Sequence, residues 1–181
     1  MAGGDADYWR NLRRSRPPAE AIEPAGPGEE SVWDYPRPPL LERIDWPLQV
    51  EFGGEIVAST TRGIRILETA SPPAYYFPPQ DVRLDLMRRV AGTSLCEWKG
   101  TAVYWEIVAG GRIAEAAAWS YPDPEPEFAA IRGWFSFYPG RVDACRVRGE
   151  LASPQPGPFY GGWMTSWVRG PVKGASGTER W

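Results

Sequence analysis

The sequence predicts a mainly β protein, a compact antiparallel domain with one or two short helices. Three observations carry that reading. The 181-residue chain holds 20 Pro and 20 Gly, which interrupt long helices and supply turns. Gly53-Gly54 and Gly110-Gly111 each separate two apolar-rich runs, the pattern of a tight hairpin. Gly133-Trp-Phe-Ser-Phe-Tyr138 is rich in aromatic strand formers and is closed by Pro139-Gly140.

The elements follow in order. Residues 1–30 read as an arm and linker. Asp7 to Arg14 has the pattern of about two helical turns bearing Tyr8, Trp9 and Leu12, and Glu23 to Glu30 is broken by Pro and Gly. Residues 31–150 read as one β domain. Leu48 to Phe52 alternates, Glu55 to Ala58 returns from the first Gly-Gly turn, and Ile64 to Glu68 is a third strand. Tyr75-Tyr76-Phe77 is held extended between two Pro-Pro pairs. Pro79 suits the first turn of a helix over residues 80–88, with Asp81 near its positive end and Val82, Leu86 and Val90 on one face. Ala102 to Ala109 and Arg112 to Trp119 form the second hairpin. A second short helix is expected near 127–131, and Arg141 to Val147 reads as the last strand. Residues 151–181 are rich in Pro and Gly yet keep Phe159, Tyr160, Trp163, Trp167 and Trp181. That aromatic density does not suit a free linker. The segment is expected to dock on the domain or on a second subunit, with a homodimer as the simplest closed assembly.

Composition narrows the function classes. The 20 basic and 23 acidic side chains leave a net charge of −3, which is no footprint for nucleic acid or an anionic membrane. No apolar run has the length of a membrane span, and the first residues lack the layout of a signal peptide, so a cytoplasmic location is expected. The chain has no histidine, which removes the usual general base and the commonest zinc ligand. Its two cysteines, Cys96 and Cys145, have no Cys-x-x-Cys spacing. No metal, disulfide or cofactor is expected.

Chemistry concentrates between Thr93 and Asp123. On an extended strand Trp105 and Ile107 share one face, and Tyr104 and Glu106 share the other. Trp98 and Trp119 fall at the open end of the hairpin, with Tyr121 close behind. Together with Tyr76, the residues Trp98, Tyr104, Trp119 and Tyr121 are candidates for an aromatic cage around a flat or apolar ligand. The competing reading is that these rings fill a core. Glu68, Glu97 and Asp81 are candidate acid/base or orienting carboxylates, and Lys99 is a candidate anion-stabilising group. The plainer alternative for Glu68 is a buried ion pair with Arg65. Cys96 is a candidate nucleophile without an imidazole partner. Three functions fit these residues: a small-molecule binding domain, a metal-independent enzyme using Glu68 or Glu97 with Lys99, and a protein-interaction module.

A set of motifs adds a resemblance. Ser31-Val-Trp-Asp-Tyr-Pro-Arg-Pro-Pro, Arg65-Ile-Leu-Glu68-Thr, Pro73-Ala-Tyr-Tyr-Phe-Pro-Pro-Gln-Asp81-Val, Cys96-Glu-Trp-Lys-Gly-Thr-Ala-Val-Tyr-Trp105, Ala118-Trp-Ser-Tyr-Pro-Asp-Pro124 and Gly133 to Tyr138 resemble a bacterial family known as domain of unknown function 427. They span roughly residues 31–150, and Gly161-Gly-Trp-Met-Thr-Ser resembles a tail found in some members. The resemblance implies a fold similar to the β-tent, shared in outline with methionine sulfoxide reductase B and the thalidomide-binding domain of cereblon. The family often has a histidine before the Pro-Pro of its Tyr-Tyr-Phe-Pro motif; this chain has Ser71 there. The family is sometimes labelled nucleotidyltransferase-like. The chain shows neither a P-loop nor a Gly-Ser pair followed by spaced aspartates for a metal-bound triphosphate.

Overall fold

Alternation of side chains along strands sorts this chain into cores. A computed structural model describes residues 14–178 and 180–181; the helix expected around Tyr8 and Trp9 lies outside them. The strands are β1 (Glu30–Ser31), β2 (Leu40–Arg43), β3 (Leu48–Phe52), β4 (Glu55–Thr60), β5 (Ile64–Glu68), β6 (Ser71–Tyr76), β7 (Met87–Cys96) and β8 (Gly100–Ala109). They continue as β9 (Arg112–Ser120), β10 (Phe135–Phe137), β11 (Ala144–Val147), β12 (Glu150–Leu151), β13 (Ser153–Pro154), β14 (Trp163–Met164) and β15 (Val168–Arg169). The larger sheets run β10-β9-β8-β7, β12-β11-β3-β4 and β2-β5-β6, all antiparallel; β13 pairs with β14, and β1 pairs in parallel with β15. The domain is therefore mainly β and antiparallel. Among the described residues no helix is long and apolar enough to cross a membrane.

Strand β6 is the partition. Tyr75 and Phe77 point into a core with Leu48, Val50, Ile107, Phe137, Cys145 and Trp163. Tyr76, one residue out of phase, points into a second core with Ile64, Ile66, Trp119, Phe128 and Ile131. The same alternation acts on β8, where Ile107 and Trp105 serve the first core and Ala102 and Tyr104 the second. A third cluster joins Val32, Trp33 and Tyr35 to Leu67 and Val168. Phe77 and Phe135 exchange backbone hydrogen bonds of 2.8 and 3.0 Å, which ties two of the sheets together.

Both Gly-Gly turns form as expected, and they pack on each other. Gly53 (φ 61°) and Gly110 (φ 57°) approach so closely that a Cβ on either would strike backbone of the other hairpin. Only glycine meets both demands.

Two expectations are corrected. No helix forms over 80–88. Residues Pro79–Asp81 and Leu84–Leu86 make separate 3-10 turns, and Met87 already begins β7. The Asp81 carboxylate is held by Thr60 Oγ1 at 2.6 Å and Arg62 Nη2 at 2.8 Å, and Arg83 N–H donates to Val57 O. These bonds lay the segment along β4, and β7 then pairs with β8 from Met87–Ile107 to Cys96–Gly100. Long-range pairing overrides a short apolar pattern that fits helix and strand alike. The turn expected near 127–131 is a 3-10 helix, Pro126–Ile131, burying Phe128 and Ile131. Arg141 to Val147 is not the last strand: β11 covers Ala144–Val147, and four short strands follow.

The described residues after β12 run along the domain. Trp163 is fully buried, donates from Nε1 to Phe137 O at 2.9 Å, and packs 5.2 Å from the Tyr75 ring. Residues from 14 to 30 run beside them, with Glu23 N–H donating to Gly170 O and Glu30 N–H to Trp167 O. Replacing Trp163 by Ala removes a ring and orphans a carbonyl in the first core. The expected loss is about 3–5 kcal/mol in urea unfolding. A loss under about 1 kcal/mol would show that the segment contributes little to the domain.

Candidate functional site

The second core does not close. Its strands leave a cavity of about 330 Å³. Period-two alternation supplies its walls: Ile66 and Glu68 from β5, Ala74 and Tyr76 from β6, Ser94 and Cys96 from β7, Ala102 and Tyr104 from β8, and Trp119 from β9. Tyr121 and Tyr138 complete the aromatic side. Gln155, Tyr160, Gly161, Gly162 and Lys173 come from the C-terminal segment, and Arg14 from the N-terminal one.

The rings are fixed to one another. Trp119 Nε1 donates to Tyr76 Oη at 3.1 Å, and its ring lies 4.6 Å from Tyr138. Tyr104 Oη and Ser94 Oγ are 2.6 Å apart. Tyr138 Oη donates to Phe159 O at 3.2 Å. Gly161 sits on the edge of Trp119, where any Cβ would overlap the indole. Gly162 N–H donates to Gln155 Oε1 at 3.1 Å, and Gln155 Nε2 donates to Lys173 O at 2.9 Å. The segment is thereby laced across the cavity mouth.

The charged end centres on Glu68. Lys173 Nζ donates to its Oε1 at 2.9 Å, and Arg37 Nη2 lies 3.2 Å from the same oxygen. Burial alone pushes the Glu68 carboxyl up, but the charges of Lys173, Lys99 and Arg37 outweigh it and hold the group down at about 2. Glu68 is therefore ionised at neutral pH, with two cations on its Oε1. Lys99 is 8% exposed. Burial pushes its ammonium down, but Cys96, Tyr76 and Glu68 act more strongly together and hold it above its ordinary value. Burial raises Tyr76 to about 12 and Tyr121 well above its usual range. Glu97 is paired with Arg14 at 2.7 Å.

The structure brings together Glu68, Cys96, Glu97, Lys99, Tyr76, Tyr104, Trp119 and Tyr121 in one cavity. Trp98 is elsewhere. Half-buried in the turn between β7 and β8, it packs on the second core beside Pro38, Pro39, Leu40, Leu41 and Phe128, outside the cavity's lining. Asp81 is also remote, bound to Thr60 and Arg62. Arg65 does not pair with Glu68. Three residues apart on a strand, the two point to opposite faces, and Arg65 binds Glu30 at 2.9 Å together with Glu42. Ser71, at the position where histidine is frequent in the resembling family, lines the cavity. Sequence reasoning missed Arg37, Gln155, Tyr138 and Lys173. The aromatic density of the tail and the Gly161-Gly162 pair were the available signals for its docking.

These features define a mainly antiparallel β domain with an internal aromatic cavity and a buried charged end. The chain matches the family described as a domain of unknown function, DUF427, over residues 40–148, and belongs to that family. Among curated proteins none matches it. The matched region contains Glu68, Lys99 and most of the rings. Lys173 and the Gln155–Gly162 wall lie beyond it.

The Glu68 cluster predicts an acid-side stability change. Its folded value lies below the ordinary 4.5, so its contribution is present above that value and is lost as pH falls toward about 2. Glu68→Gln should cost on the order of 2–3 kcal/mol at neutral pH. The gap to the wild type should shrink between pH 5 and 2 in urea titrations. A gap independent of pH would contradict the charged cluster.

Proposed function

We propose that this domain binds a small, flat metabolite in the cavity between Trp119 and the tyrosine walls, without chemical change to the ligand. One observation carries the reading: four of the five cage candidates, Tyr76, Tyr104, Trp119 and Tyr121, converge on a single cavity whose rings are braced by hydrogen bonds. Planar faces on several sides suit a flat guest. Bracing keeps the walls in place before binding, which lowers the entropy cost of association.

The polar groups favour binding over acid/base catalysis. A general acid or base works best with a pKa near the operating pH. Glu68 is held far below neutrality and Lys99 is held protonated. Glu97 is neutralised by Arg14. These groups orient a guest and hold charge rather than trade protons with it. The alternative of an enzyme built on Glu68 or Glu97 with Lys99 has less support from this geometry. An interaction module also has less support, since Trp163 of the tail is used in the chain's own core.

The test is a fluorescence titration with neutral flat compounds, indole and 2-naphthamide among them. Binding should change tryptophan emission and leave the compound chemically intact. Trp119→Leu and Tyr104→Ala, with β structure confirmed by circular dichroism, should each weaken binding about tenfold or more. Unchanged affinity in both folded variants would overturn the cavity as the binding site. Conversion of a bound compound would favour the enzyme.

A further inference from the structure

We propose that the ligand carries one anionic group of the carboxylate type and that Lys99 takes it. The inference rests on the binding reading above and goes further, to the ligand's chemical class.

The argument is one of charge. The side chains around the cavity include three cations, Arg14, Lys99 and Lys173, and two carboxylates, Glu68 and Glu97. Arg14 and Glu97 pair with each other. Lys173 takes Glu68, and Arg37 reaches the same carboxylate oxygen from behind. Glu68 is thus shared by two close cations before Lys99 is considered. Among the described residues Lys99 forms no salt bridge of its own. Its surroundings include Cys96, the Tyr76 hydroxyl, the charge of Glu68, which makes no salt bridge with it, and the Phe128 ring at 5.8 Å. These neighbours keep the ammonium charged in the cavity wall without a close ion pair, so a ligand anion can take it directly.

The neighbours also fit an anion. Tyr76 Oη, buried in the cavity wall, accepts from Trp119 Nε1. Lys99 gives a charge-assisted donor beside the rings that line the cavity. Among the cations around the cavity Lys99 alone makes no salt bridge with a described residue, and one such ammonium matches a monoanion. A flat carboxylate continues the plane of an aromatic or conjugated body between the rings.

The experiment compares matched compounds on the full chain by calorimetry: benzoate with benzamide, 2-naphthoate with 2-naphthamide, and phenyl phosphate with benzoate. Each acid should bind at least about tenfold tighter than its amide. Lys99→Met should reduce that ratio to about threefold or less while the amide still binds. Equal affinity of acid and amide for the wild-type protein overturns the proposal and leaves the flat-ligand reading standing. So does a preference retained in folded Lys99→Met. Tighter binding of phenyl phosphate than of benzoate overturns the carboxylate assignment. Failure of every acid and amide to bind overturns the flat-ligand reading itself. The wild-type comparison alone decides the charge question should Lys99→Met not fold.

Discussion

The site depends on one buried carboxylate. Glu68 ends β5 inside the domain, and cations from two distant segments meet there: Arg37 from before β2 and Lys173 from 105 residues downstream. Removing an ionised carboxylate from water is expensive unless its charge and lone pairs are met. That requirement acts as a constraint on the chain. Arg37 also donates to Thr69 O, and the Lys173 N–H donates to Ala70 O. The loop after β5 is therefore fastened on both sides of the acid. Lys173 in turn brings Gln155 and the Gly161-Gly162 wall into place over the cavity. A chain that lost Glu68 would keep its hairpins and the Trp163 anchor, and lose the ion pair that fixes Lys173 at the cavity.

The second constraint is parity along β6. Tyr75 and Tyr76 are adjacent in sequence and belong to different cores. The first core is packed solid around Phe77, Phe137 and Trp163, with ring contacts of 5.4 and 6.1 Å. The second is left open. The difference lies in what the strands bring to it. Ala74 and Ala102 are small, and Glu68, Ser94, Cys96 and Lys99 are polar. Small and polar side chains beside large rings leave volume that apolar packing does not fill. Opening the cavity and placing its charges are thus one outcome of the same inward-facing positions.

Much of this was legible in the sequence where local signals are strong. Gly-Gly between alternating runs located both hairpins, and the bounds of β5 were readable from Ile64 to Glu68. That Tyr76, Tyr104 and Trp119 line one cavity was readable because a strand position fixes the face. Trp98 does not line that cavity, and as a turn residue it has no such parity to place it. Strand β7 was hidden for a different reason. Its sequence, Met-Arg-Arg-Val-Ala-Gly-Thr-Ser-Leu-Cys, is an edge strand with mostly exposed positions, so it carries no clean apolar alternation. The three apolar residues spaced four apart then mimicked a helix face. The Glu68 cluster was beyond reach in principle. Its partners are set by tertiary closure, and nothing local marks Lys173 as the mate of an acid in β5.

The division between the family region and its flanks has a consequence for specificity. The region from 40 to 148 supplies the rings, Glu68 and Lys99. Lys173, Gln155, Tyr160 and Arg14 come from outside it. A ligand would therefore meet two kinds of wall. One is rigid sheet, where a change of residue disturbs packing on both faces. The other is an extended segment held by Trp163, two short strand pairings and the ion pairs of Lys173 and Arg169, and its exposed positions can change at smaller cost. Glycine at 161 sets the gap against Trp119, and Tyr160 stands over Lys173 with its ring 4.9 Å from the ammonium. On the proposed reading, rings of the sheets would hold the flat body, and Lys99, in the turn between β7 and β8, would hold its charge. Size and shape at the mouth belong to the segment that Glu68 anchors.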